Sequence, residues 1–556
     1  MKNKALPIGV ENFEHMITES YYYVDKTPFI KELLDKKAMV NLFTRPRRFG
    51  KTLNISMLHY FFDVLKSDKR HLFKHLKISK AEATYLQHQN AYPVIHMTLK
   101  GVEGKNFEQA FSAFKRIIQA EFRRHDYLLE SDHLNDSDKE SYLNAREVNS
   151  DSLQTLSYLL TRHYQTKTVI LIDEYDVPLE NSYFNGFYEE MLNFIRPFYH
   201  SALKTNDSLA FSVMTGCLRI SRESIFTGLN NLHILGINSH AYAEYFGFTE
   251  SEVSRMLAEY DLSFHLPEVK DWYNGYLFGS DTVYNPWSVV KYVFDSKEAK
   301  AKNARHLPRT YWSNTSSNHI VHDLIETADE ATKYELEILM SGGVLEKPIK
   351  EDIIYSEITE SQDNLWNFLY FTGYLKKVSE RLEGNTVYYQ LKIPNREVAK
   401  IYDDKISEWF QKKIQKLELS PFYSSLLKKD AEKMTQQLTD LLMDTISYLD
   451  SAENFYHGFL AGLLSFLRGY YVKSNREAGT GRSDLVLEPK SKRQTAFVIK
   501  IKVAKNFEAL ETSAQAAINQ IQNKNYTREL KERGFSHIVK IGIAFCGKDC
   551  EVKIND

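Results

Sequence analysis

Residues 38–52 read AMVNLFTRPRRFGKT, and this stretch decides the fold of the first half of the chain. A short apolar run, 38–43, leads into a basic loop, and an apolar helical segment follows from Leu53. A loop between a buried strand and a helix can direct its backbone N–H groups at a phosphate, where the helix dipole also favours negative charge. The order strand, loop, helix therefore predicts a site for a nucleotide phosphate.

The loop follows the P-loop pattern GxxxxGK(S/T) except at its first position, where Arg45 stands in place of glycine. Lys51 is expected to reach the β- and γ-phosphates of ATP, and the Thr52 hydroxyl is expected to bind Mg²⁺. Glycine normally relieves a tight backbone here, so Arg45 before the rigid Pro46 predicts a different loop entry and guanidinium contacts to phosphate. An ordinary basic turn is the alternative. The remaining residues of the predicted ATP-binding loop are Arg47, Arg48, Phe49 and Gly50.

A second apolar run, 168–174, reads TVILIDE and ends in two acids. A Walker B strand has this form, because it is buried in the sheet and its charges emerge at the edge beside the phosphates. Asp173 is expected to hold Mg²⁺, and Glu174 is expected to act as the general base that polarises the attacking water. Strands that end in acids are common, but both signals in this order indicate an ATP-binding P-loop protein.

The first half of the chain alternates apolar runs with helical patterns, which predicts an α/β fold with a mainly parallel sheet. Beyond residue 285 helical segments dominate, and a helix before a strand pair across Glu383-Gly384-Asn385 indicates a winged-helix module. From about residue 452 the order of elements is αβββαβ. The predicted domains are 1–285, 286–430 and 431–556. The predicted strands are 38–43, 93–99, 168–172 and 209–215, then 374–379 and 386–393, then 470–474, 484–488, 496–503 and 537–545.

The composition excludes fibrous and disordered classes, since 43% of the 556 residues are hydrophobic and 26% are charged. The three cysteines are an odd and sparse set that fits a reducing compartment. The N-terminus lacks the continuous apolar stretch of a secretory signal. The most apolar helical segment, 459–467, is far shorter than the roughly 20 residues that span a bilayer. We expect a cytoplasmic protein that does not contact a membrane.

Several segments closely resemble the bacterial AAA-ATPase-like family whose members carry a C-terminal PD-(D/E)xK nuclease-like domain. In that family the arginine-rich loop is usual, so Arg45 is compatible with ATP binding. The resemblance also implies that Thr215 senses the γ-phosphate. It makes Arg219 and Arg222 candidates for contact with phosphate or with another subunit, and plain surface arginines are the alternative. The segments are LPIGVENFEHM (6–16), YYYVDKTPFI (21–30), NLFTRPRRFGKT (41–52), VILIDEYDVPL (169–179), MTGCLRIS (214–221) and SIFTGLNNL (224–232).

An aromatic segment of the same family lies at 271–276, DWYNGY, and continues at 284–287, YNPW. Aromatic side chains at this density can stack on a base. Packing between the ATPase core and the next part of the chain is the favoured role.

The C-terminal αβββαβ order is that of the restriction-endonuclease core, and 474–484, SNREAGTGRSD, resembles the turn into its metal strand. The resemblance implies that Asp484 binds the metal. Such a site also needs an acid two residues before a lysine on the next strand. Here 498–502 reads VIKIK, so Lys502 is present but Lys500 replaces the acid. Glu453 is a candidate outer carboxylate, and Gln520 with Tyr526 resembles a motif that follows the core.

The charge reversal at Lys500 predicts a weak or inactive nuclease, because a cation among metal ligands repels the ion and removes an oxygen donor. The region can still bind nucleic acid, since residues 470–540 contain 14 Lys and Arg against 7 Asp and Glu, a net charge of +7. A solvated basic face is the alternative.

Three functions remain open at this point. The first is an ATP-dependent enzyme acting on DNA or RNA, in defence or mobile-element biology. The second is a non-cleaving switch in which ATP controls the binding of nucleic acid or a protein partner. The third is a small-molecule phosphotransferase. P-loop proteins of this kind often complete their sites across subunits, which leaves a homo-oligomer open.

Overall fold

The computed structural model describes residues 4–204, 206–218, 226, 230–312, 330–351, 361–414, 418–445, 453–478, 481–523 and 526–555. The chain divides into two compact units. Unit 1 comprises 1–312 and 346–397, and unit 2 comprises 313–345 and 398–556. The middle region that the sequence separates at 286–430 is thus shared between the units, and the division into three domains stays a prediction.

A parallel five-stranded sheet forms the centre of unit 1, with the strand order β2-β3-β4-β1-β5. The four strands predicted in this half are confirmed to within two residues at each end. The fifth was not predicted. The strands are β1 Val40–Thr44, β2 Val94–Thr98, β3 Thr168–Asp173, β4 Leu209–Gly216 and β5 Leu232–Leu235.

Helices connect the strands of this sheet, and further helices lie in the rest of the chain. The α-helices of the described residues are α1 Phe13–Thr18, α2 Pro28–Lys36, α3 Lys51–Phe62, α4 Ala83–Leu86, α5 Phe107–Arg124, α6 Asp136–Arg146, α7 Ser152–Tyr164, α8 Val177–Phe184, α9 Tyr188–Leu203, α10 Glu250–Glu259, α11 Leu266–Tyr273, α12 Pro286–Ala301, α13 Glu330–Met340, α14 Gln362–Phe371, α15 Arg396–Ile414, α16 Ser420–Lys428, α17 Ala431–Thr445, α18 Glu453–Ser465, α19 Leu510–Asn523 and α20 Arg528–Glu532. Short 3₁₀ turns occupy Val64–Phe73, Lys77–Lys80, Asp126–Glu130, Ala243–Tyr245, Ser263–His265 and Phe507–Ala509.

The strands that carry the predicted site are buried along their whole length, as β1 and β3 show. Parallel strands covered on both faces need such continuous apolar runs. Helix α3 is also buried around its circumference from Asn54 to Phe62. A helix that is buried on all sides lies in a core, so α3 is held on every side from Asn54 onward.

A second, smaller sheet contains the predicted strand pair, now β9 Lys376–Glu383 and β10 Thr386–Lys392. Gly384 occupies their turn with φ +60°, as the sequence indicates. An unpredicted strand, β8 Leu345–Pro348, adds to the free edge of β10. A two-stranded hairpin, β6 Tyr276–Phe278 and β7 Asp281–Val283, occupies part of the aromatic segment.

Unit 2 contains a five-stranded sheet in chain order, preceded by α18. The predicted αβββαβ order is confirmed, and a further edge strand follows it. Only β13 and β14 run parallel, and α19 connects them. The strands are β11 Tyr470–Ala478, β12 Gly481–Pro489, β13 Ala496–Val503, β14 Ile538–Cys546 and β15 Asp549–Asn555.

No helix among the residues that the structure describes is long and apolar enough to cross a membrane.

Candidate functional site

The loop between β1 and α3 places a helix N-terminus at the carboxyl edge of the sheet. Gly50 caps α3 with φ +83°, a conformation that glycine adopts without steric cost. The N–H groups of the first helical turn have no partner within the helix, and the helix dipole adds partial positive charge there. The start of α3, at Lys51 and Thr52, is therefore suited to bind an anion.

The Lys51 ammonium is buried among polar atoms, one of which is the Cys217 sulfur at 3.4 Å. It donates to the carbonyl oxygens of Arg45 at 3.1 Å and Pro46 at 3.3 Å, and it lies 3.7 Å from a Glu174 carboxylate oxygen. Burial lowers the pKa of Lys51, but Cys217, Glu174 and other nearby groups raise it by more, so the net pKa is above its usual value. Lys51 is thus charged at neutral pH.

Asp173 is the meeting point of three strands and one helix. Its two carboxylate oxygens accept hydrogen bonds from the hydroxyls of Thr52 at 2.8 Å and Thr215 at 2.6 Å. Thr98 adds a longer contact of 3.4 Å from the end of β2. The structure therefore brings together the predicted residues Thr52, Asp173 and Thr215. Thr98 was missed, although its position as the polar last residue of a buried strand could have indicated it.

The two acids that end β3 differ in their surroundings. Asp173 is 1% exposed, and burial together with the charge of Glu174 raises its pKa to about 6. Glu174 is more accessible and has φ +56°, a left-handed conformation that costs a non-glycine residue roughly 1–3 kcal/mol. Such strain is common where a side chain must be aimed at a reacting group.

Unit 2 carries the second predicted site on β12 and β13. Leu485 of β12 pairs with Ile499 of β13, and positions 484 and 500 are the next residues along the two antiparallel strands. Lys500 is 9% exposed, and Lys502 is on the same face two residues further along. The side chains of Asp484 and Glu453 lie outside the described residues.

The face of the sheet that carries Lys500 and Lys502 packs against α19. Gly542, the β14 partner of Lys500, lies so close to α19 that an added Cβ would meet the Ala514 carbonyl oxygen at 2.4 Å. The Gln520 amide donates to the Tyr526 hydroxyl at 3.3 Å on this side, which brings these two predicted residues together.

Two known protein families match the parts of the chain that contain these two predicted sites. Residues 7–226 match the predicted AAA-ATPase-like family. Residues 451–554 match the PD-(D/E)XK nuclease superfamily. An uncharacterised protein in the vnfD 5′ region of Azotobacter chroococcum mcd 1 is 26% identical to this chain over 404 residues, which cover 72% of the chain and 69% of the relative. The chain therefore carries an AAA-ATPase-like domain and a PD-(D/E)XK nuclease-like domain, and the resemblance seen in the sequence is confirmed.

Arg45, the first residue of the AAA-ATPase-like loop, is directed into the domain. The Arg45 guanidinium is 0% exposed, and it donates to the carbonyl oxygens of Thr44 at 3.0 Å and Leu235 at 2.6 Å. It lies between the rings of Phe246 and Phe278, 5.2 and 5.0 Å from their centroids. The Arg45 guanidinium thus binds the backbone of β1 and β5 inside the domain, and its contact with phosphate stays a prediction.

The other loop residues have distinct partners. Arg47 contacts both carboxylate oxygens of Glu180 at 2.6 and 2.7 Å. Arg48 is exposed and lies 4.3 Å over the ring of Trp287. Phe49 is buried and packs edge-to-face on Tyr276 with 4.9 Å between ring centroids. Pro46 is buried beside Gly373, at 3.0 Å from its would-be Cβ.

These contacts assign the aromatic segment a packing role within unit 1. Tyr273 and Tyr276 are 0% and 2% exposed, so neither ring face is accessible to a base. The favoured interpretation of the segment, packing, fits this burial. Arg219 and Arg222 lie outside the described residues.

Proposed function

We propose that the AAA-ATPase-like domain binds and hydrolyses ATP with Mg²⁺, and that its nucleotide state controls a nuclease-like domain that acts on nucleic acid with weakened or lost cleavage. The observation that carries the proposal is the convergence of Thr52 and Thr215 on the two oxygens of Asp173. The start of α3 supplies the first hydroxyl and the end of β4 the second. A phosphate at α3 would therefore lie beside all three side chains.

The donor set fits Mg²⁺, which prefers hard oxygen ligands. The Thr52 hydroxyl and the Asp173 carboxylate are 2.8 Å apart, and we propose that they hold the ion. When bound, it would neutralise charge on the β- and γ-phosphates. Burial and the charge of Glu174 raise the pKa of Asp173, and a bound cation would favour its charged carboxylate.

Each remaining group of the site then has a role. Lys51 would exchange its bonds to the carbonyls of Arg45 and Pro46 for bonds to phosphate oxygens, and its charge would be retained in the exchange. Glu174 would orient the attacking water and accept its proton. Thr215 would respond to the γ-phosphate through its bond to Asp173.

ATP turnover by the full chain tests this proposal. Lys51→Ala is expected to weaken nucleotide binding, and Glu174→Gln is expected to retain binding and lower kcat by about 100-fold. The exposed ion pair of Lys100 and Glu11, 2.9 Å apart, supplies the matched controls Lys100→Ala and Glu11→Gln. Turnover and binding that are the same in all four variants would contradict the proposal.

The position of Lys500 favours a second candidate, a switch that binds nucleic acid or a protein partner without cutting it. Position 500 and the predicted metal aspartate at 484 each lie next to the paired residues Leu485 and Ile499, so the Lys500 ammonium would add positive charge where a metal needs carboxylates. The test is cleavage of plasmid, single-stranded DNA and RNA with Mg²⁺ or Mn²⁺. We expect little cutting by the wild-type chain, more by Lys500→Glu, and none by the double variant with Lys502→Ala. Strong cutting by the wild-type chain would exclude the switch.

Nucleic-acid binding is proposed from the charge of +7 on residues 470–540. Binding of labelled duplex DNA, single-stranded DNA and RNA should weaken steeply with salt, because backbone contacts release counterions. An affinity that does not change with salt would contradict a phosphate-backbone contact. Mass measurement in solution with and without ATP tests the homo-oligomer.

A further inference from the structure

The ends of β3 and β4 are joined by contacts that do not involve the predicted metal or phosphate groups. The Tyr175 N–H donates to the Thr215 carbonyl at 2.9 Å. One Asp176 oxygen accepts from the N–H groups of Cys217 at 2.7 Å and Leu218 at 3.0 Å. The Tyr175 hydroxyl donates to the Leu218 carbonyl at 2.7 Å. We call these five residues the strand clasp.

Two residues contribute their side chains to the strand clasp, Tyr175 and Asp176, and both side chains are deeply buried. Tyr175 is 0% and Asp176 1% exposed, and the second Asp176 oxygen has no hydrogen-bond partner among the described residues. Burial of a carboxylate costs several kcal/mol unless its bonds compensate. An apolar side chain would avoid that cost, so the two amide bonds are what this position gains from an acid.

Glycine at position 216 is required by the same contacts. A Cβ there would lie 2.4 Å from a ring carbon of Tyr175 and 2.7 Å from the unpartnered oxygen of Asp176. Real Cβ atoms do not approach other atoms so closely. The ends of the two strands are therefore packed so closely that a side chain larger than glycine does not fit at position 216 without a shift.

The strand clasp lies next to Glu174, the predicted general base, and includes the backbone of Thr215, the predicted γ-phosphate sensor. Glu174 directly precedes Tyr175, whose N–H is bound to Thr215, and this bond helps to hold Glu174 at φ +56°. Thr215 itself donates to Asp173. A shift of β4 would therefore change the orientation of Glu174.

We propose that Tyr175 and Asp176 are positioning residues for ATP hydrolysis, which hold the water-polarising carboxylate of Glu174 and the hydroxyl of Thr215 at a constant separation. The inference rests on the proposed ATPase function. It predicts a larger loss in turnover than in nucleotide binding, because the hydrogen bonds of both side chains connect to the end of β4. Their contact with the phosphate-binding loop is indirect, through the Cys217 sulfur that lies 3.4 Å from the Lys51 ammonium.

Kinetics of the full chain provide the first test. Asp176→Ala should lower kcat by about tenfold or more and change the Kd of a non-hydrolysable ATP analogue by less than about threefold. Asp176→Asn keeps an oxygen for both amides and should recover at least about a third of kcat. An equal loss in both variants would overturn the proposal, because charge rather than the amide bonds would then matter. A kcat for Asp176→Ala that matches wild type, or an equal loss of binding and turnover, would also overturn it.

Hydrogen exchange provides the second test and does not depend on turnover. The peptide that contains the Cys217 and Leu218 amides should exchange about tenfold faster in Asp176→Ala and at the wild-type rate in Asp176→Asn. Unchanged exchange in Asp176→Ala would refute the clasp. If wild-type chain does not hydrolyse ATP, the function proposed above fails, whereas the exchange result still decides the clasp.

Two further variants guard against misfolding of Asp176→Ala. Tyr175→Phe removes one hydroxyl and should lower kcat by a smaller factor, about threefold. Gly216→Ala removes no polar group but forces the strands apart, and it should lower kcat with binding retained. Wild-type kcat in both variants would overturn the proposal.

Discussion

Replacement of Glu397 by glutamine should change how the stability of unit 1 depends on pH. Glu397 is 0% exposed and accepts from the N–H groups of Tyr311 at 2.7 Å and Trp312 at 2.9 Å, and from the Ser288 hydroxyl at 2.8 Å. Burial raises its pKa from 4.5 to about 7, despite these hydrogen bonds. The carboxyl group thus joins three separate segments of unit 1, and it is best tolerated there in its protonated form.

The magnitude follows from this pKa. An acid with a raised folded-state pKa contributes stability that is fully present below pH 4.5 and is lost as the pH rises to about 7. The difference between the two pKa values corresponds to about 3 kcal/mol in the free energy of unfolding, since one pKa unit is about 1.4 kcal/mol. In Glu397→Gln the amide oxygen can accept from both N–H groups and the amide nitrogen can donate to Ser288. The variant therefore keeps the contacts and loses the titration.

Thermal unfolding of both proteins between pH 5 and pH 8 measures the difference. Glutamine should raise the stability of unit 1 at pH 8 relative to wild type by about 2–3 kcal/mol, and the gain should shrink toward pH 5. Glu397→Leu is the control, because it leaves two buried N–H groups without an acceptor and should destabilise at every pH. A difference between Glu397→Gln and wild type that is the same at pH 5 and pH 8 would refute the reasoning.

Three shorter predictions concern other residues. Arg45→Met should leave the Kd for an ATP analogue within about threefold and the free energy of unfolding within about 1 kcal/mol, because an apolar chain replaces a buried charge. A large loss of binding would instead support the predicted contact of Arg45 with phosphate. Arg533→Met should lower the free energy of unfolding of unit 2, measured in urea, by roughly 1–2 kcal/mol, since buried Glu488 then has only Lys473 as its basic partner among the described residues. Arg528→Met, which removes an exposed ion pair with Glu532, is the control and should lower it by less. Lys500→Glu should give unit 2 a rise in Tm with Mg²⁺ or Mn²⁺ that wild type lacks, because metal that binds only the folded state stabilises it; equal shifts in both proteins would argue against a charge effect at position 500.

The sequence predicted best where a long pattern determines the structure. The runs of β1 and β3 are buried and mostly apolar and are followed by a basic loop or by acids, so strand, loop and charge could be placed from local pattern alone. The convergence of Thr52 and Thr215 on Asp173 agrees with the rule that parallel strands end at the same edge of a sheet, although Thr215 itself was indicated by the family resemblance.

Other features depend on partners far away in the chain. The side chain of Arg45 is directed by a carbonyl of β5, 190 residues further on, and no local pattern shows that contact. Thr98 lies at the site only because β2 is next to β3. The unpredicted strands β5 and β8 have four residues each, and β15 is an edge strand with polar residues on it, so their periodicity is weak.

The order of strands also determines when the nucleotide site can form during synthesis. Strand β4 lies between β1 and β3, so the loop with Lys51 and the strand with Asp173 do not share an edge until β4 has joined the sheet. The ribosome must therefore release residue 216, more than 160 residues beyond the loop, before the residues of the proposed ATP site can come together. Until then the emerging segments expose the unpaired edges of β1 and β3, which favours aggregation and the binding of chaperones.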